Sequence, residues 1–157
     1  MQQKSNRISI LISMIMTALL FCALIFITWW LPEVVTSLIN VNDNLGTRGE
    51  ITPLHRQLIL IDAYVMLGVA FLAVVLLFVL LLTVWKGAVF SSRATRTLSG
   101  ISLCCYAEGV LFACLTYYFQ LALCAAIAVS FIGLCLRVVK NVLEEAARIK
   151  SENDFTI

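Results

Sequence analysis

Charged side chains are scarce in this sequence, and long stretches of it contain none. Asp, Glu, Lys and Arg together make up 13% of the 157 residues, whereas apolar residues make up 62%. Soluble domains contain about 25% charged and about 45–50% apolar residues, so this composition excludes an ordinary water-soluble fold. The charges that are present collect between the apolar runs, which is typical of membrane spans joined by hydrated loops.

The sequence also lacks the residue combinations that most enzymes and metal proteins need. It has a single histidine, and none of its six cysteines is part of a C-x-x-C pair that would bring two thiolates to one metal ion. No G-x-S-x-G, H-E-x-x-H or P-loop pattern occurs. A net charge of +2 without an aromatic-interleaved basic run argues against direct nucleic-acid binding. We therefore expect no enzyme, no cofactor and no metal site.

The apolar runs have the lengths of membrane helices. Residues 8–31 form the first run, which ends in two tryptophans rather than a small-residue cleavage site, so it is interpreted as a retained span and not a signal peptide. Residues 98–139 would extend about 60 Å as one helix, twice the hydrocarbon thickness, so this run must fold back, with a turn expected near residues 117–120.

The prediction is an all-α integral membrane protein, a single membrane domain over residues 1–157 with four helices in an antiparallel bundle. Its parts are spans at about 8–31, 58–85, 98–118 and 121–139, an external loop over 32–57, a cytoplasmic loop over 86–97 and a cytoplasmic tail over 140–157 that prolongs the fourth helix. Orientation follows from the positive-inside rule. A cytoplasmic N-terminus leaves only two basic residues, Arg48 and Arg56, on the outer side and the other nine inside.

Glu108 is one of two acids that lie well inside apolar runs. It follows Leu98 by ten residues, about 15 Å along a helix, and is therefore predicted near the middle of the bilayer. A charge at that depth costs about 2.5–3.5 kcal/mol on insertion scales, and no Lys or Arg lies in the middle of an apolar run, where it could pair with Glu108. We expect a neutral carboxyl group that either hydrogen-bonds a hydroxyl on another helix or acts as a proton-carrying or ligand-binding acid.

Three further features have simpler interpretations. Asp62, four residues into the second run, is interpreted as an interfacial acid near a helix start, where the helix dipole favours it. His55 in the preceding loop is interpreted as a solvated side chain because no second His or Cys lies outside the spans. The fourth span also carries a stripe of small residues that would let another helix approach closely, either within this chain or from a second copy. The stripe consists of Ala122, Ala126, Ser130 and Gly133.

The C-terminal sequence carries the most specific signal. It ends in Glu152-Asn153-Asp154-Phe155-Thr156-Ile157, and the loop 87–91 reads Gly-Ala-Val-Phe-Ser. Together with the order of four apolar runs, these segments resemble the bacterial domain-of-unknown-function family 2975, although Ala94 stands where the family usually has Asn. The resemblance implies a small four-span bacterial membrane protein with no established activity, often encoded beside a short helix-turn-helix regulator.

Two functions remain open on these observations. The leading hypothesis is a regulatory or scaffolding protein of the bacterial cytoplasmic membrane, with both termini cytoplasmic, that engages a helix-turn-helix regulator or another membrane protein. The docking residues would then be Glu152, Asp154, Phe155 and Ile157. The alternative is a small transporter, or a transporter or sensor subunit, with Glu108 as its proton or ligand site. Membrane lipid is a partner in either case, and the oligomeric state stays undetermined.

Overall fold

The computed structural model describes residues 2–44, 52–87 and 91–154, and within these ranges it contains helices and turns but no strand. The four helices are α1 (Gln2–Asn44), α2 (Pro53–Trp85), α3 (Ser92–Leu115) and α4 (Ala122–Asp154). Each contains an apolar segment long enough to cross a membrane. The prediction of an all-α, four-span membrane protein is therefore confirmed.

Each helix packs antiparallel to its neighbour in the chain. Among the described residues the backbones of α1 and α2, of α2 and α3, and of α3 and α4 come close, and no other pair of helices does. The bundle is thus an open row, in which α2 and α3 have helices on two sides. Many large apolar side chains are exposed on the surface of the bundle, as expected where that surface meets lipid instead of water.

Local signals in the sequence explain where α2 and α3 begin and end. Pro53 occupies the first position of α2, where a missing N–H removes no helical hydrogen bond. Gly87 follows the other end with φ of +75°, a left-handed conformation that glycine adopts without strain. Ser91 then caps α3, because its side-chain oxygen accepts a 3.3 Å hydrogen bond from the N–H of Ala94.

Helix α1 is longer than the span predicted for it. The external loop was expected over residues 32–57, but α1 continues through Pro32 to Asn44 and α2 begins at Pro53. A proline inside a helix removes one backbone hydrogen bond. Here the packing of α1 against α2 compensates for that loss. Leu31 and Ile39 are buried in one apolar cluster with Ile59 of α2.

A polar contact joins the same two helices beyond that proline. The guanidinium of Arg56 donates a 2.7 Å hydrogen bond to Oγ1 of Thr36, and the Thr36 hydroxyl donates to the carbonyl of Pro32. Between the end of α1 at Asn44 and the start of α2 at Pro53 there are eight residues, of which 45–51 lie outside the described ranges. The α3–α4 connection occupies residues 116–121 and includes the region in which the turn was predicted.

Candidate functional site

Glu108 lies on α3 and faces a cavity to which all four helices contribute. The cavity has a volume of about 490 Å³, and Glu108 is the one ionisable residue in its lining. The other lining residues are Leu31 of α1, Ala63, Met66, Leu67, Ala70, Ala73 and Val74 of α2, Phe112 of α3 and Val129 of α4. The site is therefore a single carboxyl group in an otherwise apolar space.

Small side chains on α2 create this space. Ala63, Ala70 and Ala73 are seven and then three residues apart, so they lie on one face of the helix. Each alanine leaves room that a leucine or phenylalanine, common elsewhere in α2, would fill. These alanines were not predicted from the sequence, although small residues at helical spacing are a signal that could have revealed them.

One oxygen of the Glu108 carboxyl has no hydrogen-bond partner. Oε1 is buried, and no described residue donates to it or accepts from it. The hydroxyl partner that was expected from another helix is therefore not found for this atom in the described part of the chain. A buried polar atom without a partner is unfavourable by about 1–3 kcal/mol, which makes it a candidate for a ligand or proton site.

Asp62 lies in the same α2–α3 interface, nearer than Glu108 to the start of α2 and the end of α3. It lines a smaller cavity of about 200 Å³ with Cys114, Leu115 and Tyr118, and its Oδ2 atom also has no partner among the described residues. Because α2 begins at Pro53, Asp62 lies nine residues inside the helix, whereas the helix dipole acts mainly within the first turn. The dipole therefore does not account for its position.

The register of α2 and α3 relates the two acids to each other. A Cβ atom at Gly100 of α3 would lie 3.0 Å from the side chain of Leu76 in α2. Gly100 and Leu76 are therefore at the same level. Because the helices are antiparallel, the eight residues from Gly100 to Glu108 on α3 correspond to the eight from Leu76 to Gly68 on α2, so Gly68 is level with Glu108. Asp62 lies six residues further, about 9 Å along the helix axis. The two acids therefore lie on neighbouring helices and differ in height by about 9 Å.

The small-residue stripe of α4 packs against α3 and holds the site in place. Ala122 and Ala126 are buried, and a Cβ atom at Gly109 would collide with the Ser130 hydroxyl. The buried Ser102 hydroxyl donates a 2.8 Å hydrogen bond to the carbonyl of Gly133. In this chain the stripe serves internal packing, which was one of the two uses considered for it.

The structure places the remaining candidate residues away from the Glu108 cavity. Nδ1 of His55 is 3.0 Å from Oγ1 of Thr52, and its ring packs against Tyr118 with the ring centres 5.6 Å apart. No cluster of three metal-binding side chains occurs among the described residues. Of the proposed docking residues, Glu152 pairs with Arg148 and Asp154 ends α4, whereas Phe155 and Ile157 lie outside the described residues.

Comparison with known proteins yields one match. The family model described as "Protein of unknown function (DUF2975)" matches residues 47–157, which is more than half of the chain. The match includes α2, α3 and α4, and hence both intramembrane acids, but not α1. No curated protein and no solved structure matches the chain significantly.

Proposed function

The chain belongs to domain-of-unknown-function family 2975, and from the geometry of its site we propose that it is a small transporter, or a transporter or sensor subunit, in which Glu108 binds a proton or a ligand. The observation that carries this proposal is the unpartnered Oε1 atom of Glu108 in a cavity lined by apolar side chains. The proposal places the protein in the bacterial cytoplasmic membrane with both termini cytoplasmic.

The energetics of a buried acid support a functional role for Glu108. An ionisable group inside a membrane is unfavourable by about 2.5–3.5 kcal/mol, and the protein offers Oε1 no compensating hydrogen bond within its described residues. Replacing the glutamate with leucine or alanine would remove that cost and fill or preserve the apolar lining. Binding of a proton would neutralise the carboxylate, and a ligand that donates a hydrogen bond to the carboxyl group would supply the missing partner.

The shape and polarity of the cavity define a ligand class. Ligand pockets typically have volumes of about 300–1,000 Å³, and the Glu108 cavity, at about 490 Å³, lies within that range. Its lining suits a mostly apolar molecule with one positive charge or hydrogen-bond donor directed at Glu108. Asp62 lies about 9 Å nearer the start of α2 than the level of Glu108. It would act as a second acidic position on the path of a proton or cation.

A second candidate function is the regulatory or scaffolding role, and the length of α4 favours it. The helix continues beyond the predicted span limit at Val139 to Asp154. This extension carries ion pairs of 3.1 Å between Lys140 and Glu144 and of 2.6 Å between Arg148 and Glu145. A helix with mixed charges and an apolar edge is a surface that a cytoplasmic regulator, such as a helix-turn-helix protein, could contact.

Complementation of a deletion strain distinguishes the two functions. The strain would be screened for growth across external pH and with apolar cations such as tetraphenylphosphonium, and the resulting phenotype would be restored with the full-length gene. Under the first function, Glu108→Gln fails to restore growth, because the amide cannot exchange a proton or carry a charge. The matched control Glu33→Gln, an exposed acid on α1, restores it.

The docking function predicts the reverse pattern. Truncation before residue 144 would abolish complementation and Glu108→Gln would not. Affinity purification of the detergent-solubilised protein, with and without residues 144–157, then identifies the partner that is lost. Full complementation by Glu108→Gln, with the variant present at normal levels in the membrane, would rule out the Glu108 site as the functional one.

A further inference from the structure

A third cavity, separate from those beside Glu108 and Asp62, lies between α3 and α4 at the end where α3 begins. It has a volume of about 400 Å³. Its lining residues are Arg96, Ser99, Gly100, Ser102 and Leu103 of α3 and Arg137 of α4. Two guanidinium groups from different helices therefore border one space, a feature that neither proposed function uses.

The two arginines lack protein partners in the described part of the chain. Neither Arg96 nor Arg137 forms an ion pair or a side-chain hydrogen bond with another described residue. By contrast, Lys140, one turn further along α4, is paired with Glu144 at 3.1 Å. A guanidinium group presents five N–H donors in a planar fork that matches the oxygens of a phosphate group.

The cavity changes from polar to apolar along the helix axis. Starting from the Ser102–Gly133 hydrogen bond, Arg137 lies four residues away on α4 and Arg96 six residues away on α3, which are displacements of about 6 Å and about 9 Å in the same direction. Leu103 lies on the other side, towards the middle of the span, and is 69% exposed. A phospholipid has the same order, with a charged headgroup outside and acyl chains inside.

We infer that this cavity binds the phosphate-bearing headgroup of an anionic phospholipid. Arg96 and Arg137 bind the phosphate from two sides, and the Ser99 hydroxyl is placed to donate a further hydrogen bond. An acyl chain lies against Leu103, which is exposed on the surface of α3. Basic pockets between membrane helices are a recurrent way of recognising anionic lipid headgroups. Because the lipid contacts both helices, it links α3, which carries Glu108, to α4.

Native mass spectrometry of the full-length protein in detergent tests this inference. The protein would be titrated with dioleoylphosphatidylglycerol, with dioleoylphosphatidylcholine as the neutral lipid, and with inorganic phosphate as a competitor. We expect phosphatidylglycerol to bind at least about tenfold more tightly than phosphatidylcholine. Replacing both Arg96 and Arg137 with glutamine should reduce phosphatidylglycerol affinity about tenfold or more.

Two further variants separate a local site from general electrostatic attraction. Lys86→Gln with Arg93→Gln removes the same number of charges from the same end of the molecule, at exposed residues outside the cavity, and should change affinity less than about twofold. Ser99→Trp keeps both arginines but fills the cavity, and should also block binding. This variant keeps the test decisive if the double arginine variant is unstable.

Three results would overturn the inference. Equal losses in the double arginine variant and in its control would indicate attraction by net charge alone. Unchanged phosphatidylglycerol binding in Ser99→Trp would exclude the cavity. Displacement of bound phosphatidylglycerol by inorganic phosphate at equal concentration would identify the site as one for a free anion and not for a lipid.

Discussion

At the scale of single residues, the carboxyl group of Glu108 is the group whose chemistry can be tested most directly. Dicyclohexylcarbodiimide is an apolar reagent that partitions into membranes, where its central carbon bonds to a carboxyl oxygen while the acid proton moves to a reagent nitrogen. Since the cavity is apolar and the sequence predicts Glu108 near the middle of a span, we expect this reagent to modify Glu108 in intact membranes. Peptide mass spectrometry would locate the adduct.

The control for this labelling is an exposed acid. Glu33 on α1 is exposed, so a water-soluble carbodiimide should reach it more readily than Glu108. In the Glu108→Gln variant the adduct on that α3 peptide should disappear, with labelling elsewhere unchanged. Equal modification of Glu108 by the two reagents would mean that water enters the cavity freely, against the apolar lining described above.

The cysteines near the α3–α4 turn allow a second prediction at this scale. Cys114 and Cys124 are exposed on the apolar surface, and all six cysteines are unpaired. We expect free thiols in the purified protein, because a disulfide requires Cα atoms about 4.4–6.8 Å apart and side chains that face each other. Mass spectrometry without reducing agent would contradict this if it detected a peptide linked through Cys114 and Cys124.

At the scale of elements, the α3–α4 hairpin is the most closely packed part of the molecule. A Cβ atom at Gly133 would lie 3.0 Å from Cβ of Cys105 and 3.3 Å from the backbone oxygen of Ser102. Neither atom can move by rotating a side chain. Close approach between small residues, with an interhelical hydrogen bond, is what stabilises helix pairs in lipid, where no hydrophobic effect drives association.

Gly133→Ala should therefore destabilise the hairpin by about 1–3 kcal/mol, because the two helices must separate to admit the methyl group. Gly68→Ala on α2 is the matched control, since no atom lies within 4 Å of its added Cβ. That variant should be neutral, or more stable by up to about 1 kcal/mol from helix propensity. The measurement is unfolding of each variant in mixed detergent micelles. A Gly133→Ala protein as stable as Gly68→Ala would show that the approach is looser than described.

At the scale of the whole molecule, the orientation of the helices in the membrane determines which side each surface faces. In a variant without native cysteines, Thr47→Cys between α1 and α2 should react with an impermeant maleimide in intact cells. Ser92→Cys and Ser151→Cys should react only after permeabilisation. This expectation follows from the distribution of nine basic residues on one side and two on the other. Labelling of Ser151→Cys in intact cells would place α4 in the opposite direction.

The open row of helices also has a consequence for the whole molecule. Among the described residues, the backbone of α1 comes close only to α2, and that of α4 only to α3. The Glu108 cavity is therefore bordered by side chains and not by a complete ring of helices, and it is open to the outside. Among the described residues that line it, Leu31 is the one from α1 and Val129 the one from α4. A ligand moving laterally from the bilayer could therefore reach Glu108 between α1 and α4.

The membrane nature of the fold follows from the sequence by itself. Four apolar segments of sufficient length must become helices, because lipid offers no partner to a backbone N–H or C=O group outside regular structure. The depth of Glu108 is predicted in the same way, since position along a helix converts directly into distance across the bilayer. These inferences need only the number and order of residues, and no knowledge of which helices are neighbours.

The faces of the helices were decided by tertiary structure. The hydropathy of α2 shows no periodicity in its long apolar part. The spacing of Ala63, Ala70 and Ala73 indicates a face of small residues, but it does not reveal that this face lies towards Glu108. Likewise, the continuation of α1 past Pro32 depends on its packing against α2, and the position of Arg96 and Arg137 beside one cavity depends on the α3–α4 register. The physical reason is that lipid and the interior of a helix bundle are equally apolar, so the buried face of a helix has no distinct hydropathy. Only the fit of small side chains and a few hydrogen bonds then select the contacts between helices.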